Sequence, residues 1–508
     1  MFSNCLLLIV WLSLFDTFII CKNFSDIDLP LLHTSIYFNN YGTVKEQCLQ
    51  DSECLYRDFL TSNQYNTSAC WGYESWCKDE NKFSSPSCQK TLNAWVDQMD
   101  TFYKQADFGY VKKHINEMMV LCEPSYSFDS SLECSSLLHF CRGRNLMINF
   151  TELSKVKEPI RYNIDVLKHG EIGGHCKFFR DRLQAQTDHM GALQSWAPEL
   201  RFFERLPDPI IDSGKCNIVI EKPVFVMKID AASNMYHHFC DFFNLYASLH
   251  VNSSHPSAFG TDVHILIWES YTYESPFSEA FEAFTTNEIW DLKTFRGQTV
   301  CFKNVVLPLL PRMIFGLYYN TPIIHGCENS GLFQAFSEHI LHRLKVPLIP
   351  RKKGTIRVTF LSRKTKYRQV LNEDELLDEI NSNETYFVRR VSFERGISFK
   401  KQLHIIGNTD ILIGIHGAGL THLLFLPNWA SIFELYNCED PKCYKDLARL
   451  RGINYLTWKD DSKLIRQDDK SYSKNGAHAK FANYIFDRKE FAILLTEAAR
   501  NVLENENY

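Results

Sequence analysis

Hydrophobic positions in the last hundred residues of the chain alternate between short continuous runs and helical spacing. Residues 411–415 are fully apolar except for one glycine, which favours a strand buried on both faces, as in a parallel sheet. Residues 420–425 predict a short helix, and 431–433 predict the next strand. The stretch 410–436 is therefore predicted to run strand, tight turn, helix, strand.

The same patterns predict elements over most of the chain. Predicted strands lie at 217–221, 224–229, 262–268, 305–307, 356–361 and 386–390. Predicted helices lie at 112–122, 331–344, 374–380, 398–406 and 487–503. The last helix begins with a capping box, Asp487 and Glu490, and places Phe491, Leu494 and Ala498 on one face.

Strands and helices alternate on both sides of a basic, proline-containing stretch at 346–353, which is typical of a linker. This order predicts an α/β protein with two Rossmann-like domains, 161–350 and 351–508, that face each other across a cleft. A chain of 508 residues is long enough for two or three domains. Hydrophobic residues make up 45% of it, which supports a large core.

The N-terminus contains an apolar segment at 5–15 that is too short to span a bilayer. We interpret 1–21 as a signal peptide, with a signal anchor as the alternative. No other stretch predicts a membrane span. The net charge of −5 gives no electrostatic basis for nucleic-acid or anionic-membrane binding.

Cysteines are concentrated in the first third of the chain, where eight of the 17 lie between Cys48 and Cys141. Residues 22–160 are therefore predicted to be a disulfide-stapled cap on the core. Cys438 and Cys443, five residues apart, are predicted to be able to bridge locally. Five N-glycosylation sequons, together with the cysteines and the leader, indicate the secretory pathway. The sequons are at Asn23, Asn66, Asn149, Asn252 and Asn383.

The turn after strand 411–415 reads His416-Gly417-Ala418-Gly419. Glycines let the backbone approach a ligand closely, and a helix start offers bare N–H groups to a phosphate. Glu434, at the end of the next strand, is placed to accept from ribose hydroxyls. A nucleotide diphosphate site is one interpretation, and a tight βα turn without a ligand is the other.

Two further groups carry candidate chemistry. His237 and Asp241 are four residues apart on a predicted helix, so the carboxylate is placed to orient the imidazole as a general base. The alternatives are a half-buried pair without function and a zinc site that adds His238. Arg363 follows strand 356–361, where a cation can neutralise a leaving diphosphate, although an ordinary basic loop also fits.

These residues resemble the glycosyltransferase family that includes the plant β-xylosyltransferases. The resemblance covers most of the chain, from Cys70 to Asp440. Its motifs are Asn234-x-x-His237, Arg363, the block at 416–427 and Phe433-Glu434-Leu435-Tyr436. Other matching stretches are 70–74, 104–110, 170–176, 218–223, 309–312 and 437–440.

The resemblance implies an inverting transferase of GT-B type in the lumen of the endoplasmic reticulum. It implies transfer of N-acetylglucosamine from UDP-N-acetylglucosamine to Ser or Thr of folded EGF-like domains, such as those of Notch-like receptors. Arg363, His416, Gly417, Gly419 and Glu434 would then bind the donor. His237 or Asp241 would lie nearest the acceptor, so 161–350 would be the acceptor side and 351–508 the nucleotide-sugar side.

Two positions depart from the family pattern. Relatives carry an acidic triplet where this chain has Thr286-Asn287-Glu288, which leaves Glu288 as a weak metal candidate and a need for Mn²⁺ or Mg²⁺ undecided. The chain also ends without a KDEL-like retention signal. The alternatives are another sugar or acceptor, such as xylose or an O-mannosyl glycan, and an inactive lumenal binding protein of the same fold.

Overall fold

The structure is a computed structural model that describes nine segments of the chain. These segments are 27–89, 98–156, 159–189, 191–211, 213–295, 297–321, 326–394, 396–468 and 478–505. The predicted signal peptide at 1–21 and the sequon at Asn23 lie outside the described residues.

Helices and strands alternate through the described segments. The α-helices are α1 Leu31–Asn40, α2 Gly42–Gln50, α3 Arg57–Thr61, α4 Gln98–Ala106, α5 Phe108–Asn116, α6 Arg180–Gln184, α7 Ala197–Leu200, α8 Met235–Val251, α9 Gly331–Arg343, α10 Glu373–Asn381, α11 Phe399–Gly407, α12 Cys443–Arg451 and α13 Arg488–Glu504. The first ten strands are β1 Ser87–Cys88, β2 Met119–Glu123, β3 Ser131–Cys134, β4 Cys141–Asn149, β5 Ile172–Gly174, β6 Lys177–Phe178, β7 Phe203–Arg205, β8 Ile218–Ile220, β9 Val224–Met227 and β10 His264–Ile267. The others are β11 Ile289–Asp291, β12 Thr299–Leu307, β13 Cys327–Glu328, β14 Ile356–Leu361, β15 Tyr386–Val391, β16 Ile411–Gly414, β17 Ser431–Glu434, β18 Asn454–Thr457, β19 Leu464–Asp468 and β20 Ala482–Phe486.

The C-terminal half contains a five-stranded sheet in the order β15-β14-β16-β17-β18, with every pair parallel. Ile411 and Ile413 face one core and Leu412 faces another, because successive side chains of a strand point to opposite faces. The strand order reverses between β14 and β16. In doubly wound sheets, ligands bind beside the carboxyl ends of the strands at such a point.

The larger sheet has eleven strands and mixed direction. Its parallel part runs β11-β10-β9-β12, and strands of the cysteine-rich region extend it. β4 pairs antiparallel with β12 along its whole length, from Asn149 opposite Thr299 to Cys141 opposite Leu307. Strands from both sides of residue 160 therefore belong to one sheet. The boundary between cap and core at residue 160 remains a prediction.

Helix α8 is buried on all sides except near its first turn. The ring of Phe239 on α8 lies 5.3 Å from Phe399 and 5.4 Å from Phe425, centroid to centroid. The two halves thus share one hydrophobic core, and the predicted α/β class is confirmed.

Six disulfides staple the described chain. They are Cys48–Cys54, Cys70–Cys77, Cys88–Cys327, Cys122–Cys176, Cys134–Cys141 and Cys216–Cys301. Cys438 and Cys443, whose spacing allows a local bridge, do not form one and are both free thiols. Cys438 is buried, and Cys443 is the first residue of helix α12.

Most predicted elements are confirmed within one or two residues. The Asp487 side chain accepts from the backbone N–H of Glu490 at 2.9 Å, as a capping residue should. The helix predicted at 112–122 is wrong in its second half. Helix α5 ends at Asn116, and Met119–Glu123 forms strand β2, because it pairs with β3 and β6.

Candidate functional site

A cavity of about 920 Å³ lies between the N-terminal end of α8 and the carboxyl edge of the five-stranded sheet. Both halves of the chain line it. Its lining residues are Ser233, Asn234, Tyr236, His237, Tyr318, Tyr319, Thr321, Arg363, Arg368, His416, Gly417, Ala418, Gly419, Asp440, Lys442, Cys443, Tyr444, Asp446 and Lys480.

The sheet positions one wall of the cavity. Leu361, Gly414 and Glu434 pair in register at the ends of β14, β16 and β17, so the residues that follow emerge at one edge. Arg363 leaves β14 there, and His416 leaves β16. A 3₁₀ helix, Ala418–Phe425, begins directly after Gly417, so the predicted short helix starts two residues earlier than its apolar run indicated.

Two guanidinium groups lie against Gly417. A Cβ atom at Gly417 would be 2.3 Å from Nη1 of Arg363 and 3.8 Å from Nη1 of Arg368, so only glycine admits both. Arg368 donates from Nη1 to the carbonyl oxygen of His416 at 3.1 Å. Arg363 donates from Nε to Thr365 and to the carbonyl of Tyr367. Neither arginine has an ion pair with a carboxylate of the described residues.

The electrostatics of this wall favour an anion. Burial, with the charge of Arg368 beside it, lowers the pKa of Arg363 to about 10. The Nε of Arg368 is buried and has no hydrogen-bond partner among the described residues. Arginine matches the geometry of phosphate oxygens and is the residue of choice for such contacts. A phosphate between the two guanidinium groups would satisfy both.

Glu434 lies behind this wall rather than in it. Its Oε1 accepts from Nδ1 of His416 at 2.8 Å, and its Oε2 accepts from the hydroxyl of Tyr455 at 2.5 Å. The carboxylate is buried and absent from the cavity lining, so both of its oxygens are already engaged. The structure therefore gives no support to direct ribose contacts by Glu434, and places it as the residue that orients His416.

The opposite wall presents a histidine held by an aspartate. Nδ1 of His237 lies 2.9 Å from Oδ2 of Asp230, three residues beyond β9. A carboxylate oxygen only accepts, so Nδ1 carries the proton and Nε2 has the free lone pair. Nη2 of Arg312 also lies 3.2 Å from Nδ1, but it is closer to Oδ2 of Asp230, at 2.7 Å, and donates there. No hydrogen bond to Nε2 is found within the described segments. A neutral imidazole with this tautomer can accept a proton from a substrate hydroxyl.

Arg312 completes the group. It donates to Oδ2 of Asp230 from Nε at 2.8 Å, and its guanidinium stacks 4.0 Å from the ring centroid of Tyr319. Burial raises the pKa of Asp230, but the hydrogen bonds from His237 and Arg312 outweigh it and hold the pKa below its usual range. Asp230 therefore stays ionised beside His237.

Asp241 does not orient His237, which corrects the expected pairing. Its Oδ2 lies 2.9 Å from Nδ1 of His238, and both of its oxygens accept from the backbone N–H of Asp230 at 3.2 Å. Nε2 of His238 lies 2.6 Å from the hydroxyl of Tyr273. A spacing of four residues places Asp241 on the same helix face as His237. Its carboxylate nevertheless binds His238 and the backbone of Asp230.

The pair formed by Asp241 and His238 is buried away from the cavity. Burial lowers the pKa of His238 to about 3 and raises the pKa of Asp241 well above its usual range. Neither residue lines the cavity. The zinc alternative with His237, His238 and Asp241 is also unsupported, since His237 and His238 engage different carboxylates.

Sequence reasoning missed the roles of Asp230, Arg312 and Arg368. Asp230 follows strand β9 and Arg368 belongs to a basic loop. These sequence positions are only weak indications that the two residues belong to the site. Arg312 comes from a loop 82 residues after Asp230, and only the tertiary fold brings them together.

The remaining predicted positions are placed as follows. Gly419 lines the cavity, and a Cβ there would be 2.9 Å from Leu361. Glu288 does not line it. In the described chain, one group of three potential metal ligands converges, Cys70, Glu74 and Cys77, and its cysteines form a disulfide. Of the described sequons, Asn66 and Asn383 are exposed, and Asn149 and Asn252 are partly buried.

One wall of the cavity can bind an anion at the point where the strand order reverses, and the other holds His237 beside Asp230. This combination is typical of an enzyme that transfers a group from a phosphate-activated donor. The model of the family described as Glycosyltransferase 61 matches residues 164–433. The chain belongs to this glycosyltransferase family, and the resemblance seen in the sequence is confirmed.

Curated relatives match nearly the whole chain. A protein of Drosophila melanogaster is 55% identical over 490 residues, which cover 96% of this chain and 92% of the relative. Proteins of Pan troglodytes and Mus musculus are 46% and 45% identical over 493 residues, with the same coverage. All three are named EGF domain-specific O-linked N-acetylglucosamine transferase. Among the described helices, none is long and apolar enough to cross a membrane.

Proposed function

We propose that this chain transfers N-acetylglucosamine from UDP-N-acetylglucosamine to Ser or Thr hydroxyls of folded EGF-like domains. The observation that carries the proposal is the pairing of two walls in one cavity. Arg363 and Arg368 lie on one wall without carboxylate partners among the described residues, and the His237–Asp230 pair lies on the other. The names and high identity of the relatives support the sugar and the acceptor.

The donor lies with its diphosphate against Arg363 and Arg368. Bond cleavage leaves the electron pair and an added negative charge on the UDP oxygen. Two fixed guanidinium groups stabilise that charge more as it grows, which lowers the barrier. His416 shares this wall, and Glu434 fixes its orientation through Nδ1. Lys480, near Asp440 at 3.6 Å, adds a further cation to the cavity.

The acceptor hydroxyl approaches Nε2 of His237. As its oxygen bonds to the anomeric carbon, its proton passes to Nε2 and UDP departs from the opposite face. This single displacement inverts the anomeric configuration. Asp230 stabilises the imidazolium that forms, and Arg312 holds Asp230 in place. Asp241 acts at one remove, by fixing the backbone of Asp230.

The finer features of the proposal rest on the same observations. We assign the parallel sheet and the mixed sheet to the two halves of a GT-B arrangement, since the cavity lies between them. Six disulfides support folding in an oxidising lumen, and we place the enzyme in the endoplasmic reticulum.

Notch-like receptors are the proposed acceptors. Four cationic side chains at the cavity, Arg363, Arg368, Lys442 and Lys480, favour catalysis without an obligatory divalent cation.

One transfer assay tests the proposal. Purified enzyme is incubated with UDP-N-acetylglucosamine and a single folded EGF domain, and mass spectrometry follows the domain. One added N-acetylhexosamine on a Ser or Thr supports the proposal. UDP-xylose and an O-mannosyl glycopeptide serve as the competing donor and acceptor, and preference for either overturns it. Failure to bind UDP-N-acetylglucosamine would favour the inactive binding protein.

A further inference from the structure

The chain that follows β12 displays exposed apolar side chains, and one of them, Tyr319, lies beside His237. Phe315 is 72% exposed, which makes it the most exposed Phe, Tyr or Trp of the described chain. Ile314 is 42% exposed and Tyr319 38% exposed. Large exposed apolar groups that cluster mark interaction sites, whereas single ones need no explanation.

Buried side chains and backbone hydrogen bonds of the loop keep these apolar side chains exposed. Met313 and Leu317 are buried on the inner side. The amide of Gly316 and the side-chain amide of Asn320 both donate to the carbonyl oxygen of Met313, at 3.2 and 2.8 Å. Phe315 has φ of 54°, a left-handed conformation that is strained for a bulky residue. Strain of this kind is concentrated at functional positions.

The same loop reaches the candidate base. Tyr319 lines the cavity, and its ring centroid lies 5.6 Å from that of His237. Arg312, stacked on Tyr319, donates to Asp230. Ile314 and Phe315 lie between Arg312 and Tyr319 in sequence, and both side chains are exposed.

A second aromatic pair, Tyr162 and Tyr271, has one member at Asp230. Tyr162 is 57% exposed and donates its hydroxyl to the carbonyl oxygen of Asp230 at 3.2 Å. Tyr271 is also exposed. The guanidinium of Arg161 lies 5.0 Å and 5.7 Å from the two ring centroids, which fixes the pair before any partner arrives.

We propose that these five residues form an apolar rim that docks the folded acceptor domain. The rim is Ile314, Phe315, Tyr319, Tyr162 and Tyr271. The inference rests on the proposed function. A cavity of about 920 Å³ holds a small ligand such as the donor, so a folded domain reaches His237 only by covering the rim. Aromatic side chains with a neighbouring arginine are the residues that dominate such interfaces.

Phe315→Ala tests the rim, with Phe315→Gly as a second variant that relieves the left-handed strain. Both should raise the KM for the folded EGF domain by about tenfold or more, since a central aromatic anchor is lost. Hydrolysis of UDP-N-acetylglucosamine without acceptor should stay at the wild-type rate, because Phe315 does not line the cavity. Phe387→Ala is the matched control, since Phe387 is 58% exposed on edge strand β15.

A KM within twofold of wild type in both Phe315 variants would overturn the rim, and so would an equal rise in Phe387→Ala. Direct binding of the folded domain to the enzyme, with UDP present, separates this inference from the proposed function. If wild type binds the domain but transfers no sugar, the proposed function fails while the rim is still judged by binding. Loss of binding in Phe315→Ala then supports it, and unchanged binding contradicts it.

Discussion

The imidazole of His237 is held from outside its own helix, because Nδ1 lies 2.9 Å from Oδ2 of Asp230. Asp230 follows strand β9, and Arg312 binds the same oxygen from a third segment. Three separate pieces of chain therefore fix one tautomer of His237. This arrangement leaves Nε2 as the proton acceptor at the cavity.

Gly417→Ala should weaken UDP binding by about tenfold or more while the protein stays folded. The added methyl group would be 2.3 Å from Nη1 of Arg363, and the guanidinium is the part that can move away. A charged hydrogen bond lost there costs about 1.5–3 kcal/mol. Calorimetric titration of UDP measures the loss, and thermal unfolding checks the fold. Gly42→Ala is the control, because nothing lies within 4 Å of its Cβ position. An unchanged dissociation constant would show that Arg363 does not contact the donor.

Glu434→Ala should also weaken UDP binding, but through His416. The change leaves Nδ1 of His416 and the hydroxyl of Tyr455 without their acceptor, at a cost of about 1–3 kcal/mol. Part of this cost appears as lower thermal stability. Glu439→Ala, an exposed carboxylate five residues later, should bind UDP normally. A Glu434→Ala protein with wild-type affinity and stability would remove Glu434 from the site.

Activity should persist at least in part after chelation with EDTA. The cationic side chains of Arg363 and Arg368 face the cavity and can offset the charge of the leaving diphosphate. Glu288→Gln should match the wild-type activity both with and without chelator, because Glu288 does not line the cavity. Complete loss of activity with EDTA that Mn²⁺ restores would show that the enzyme needs a metal.

The stability gained from Asp230 should vanish in acid. Its pKa in the folded state lies below the ordinary value of about 3.9. A carboxyl group with a lowered pKa stabilises the fold above its unfolded pKa and loses that effect as the pH falls through the folded pKa. The difference in melting temperature between wild type and Asp230→Asn should be constant above about pH 5 and shrink below about pH 4. A difference that grows on acidification would contradict the ion pair.

The sequence predicted the cavity wall at the edge of the five-stranded sheet better than the wall at helix α8, for a physical reason. Strands β14, β16 and β17 are parallel neighbours, so residues after each strand meet at one edge whatever the rest of the chain does. Arg363, His416 and Gly417 therefore lie where the pattern indicated. Glu434 lies behind His416 and does not line the cavity. The sequence pattern shows where a strand ends, but it does not show which side chain reaches the cavity.

Long-range packing decided what the sequence did not show. Helical spacing places His237 and Asp241 on one face, but α8 is buried almost all round, so Asp241 finds partners in the core. The pairing of β4 with β12 joins residues about 150 positions apart, and no local pattern records it. The α/β class was predictable for the opposite reason, since it depends on periodicity within each short segment.

The most direct test of the account is kcat for His237→Ala beside Asp241→Asn, at saturating UDP-N-acetylglucosamine with a folded EGF domain. Removal of a general base typically costs about 10²–10⁴ in rate, so His237→Ala should lose that factor while UDP affinity stays at the wild-type value. Asn at position 241 still accepts from the backbone of Asp230, so this variant should retain most of its activity. His237→Ala at the wild-type rate with an inactive Asp241→Asn would make the buried carboxylate the base and contradict the account.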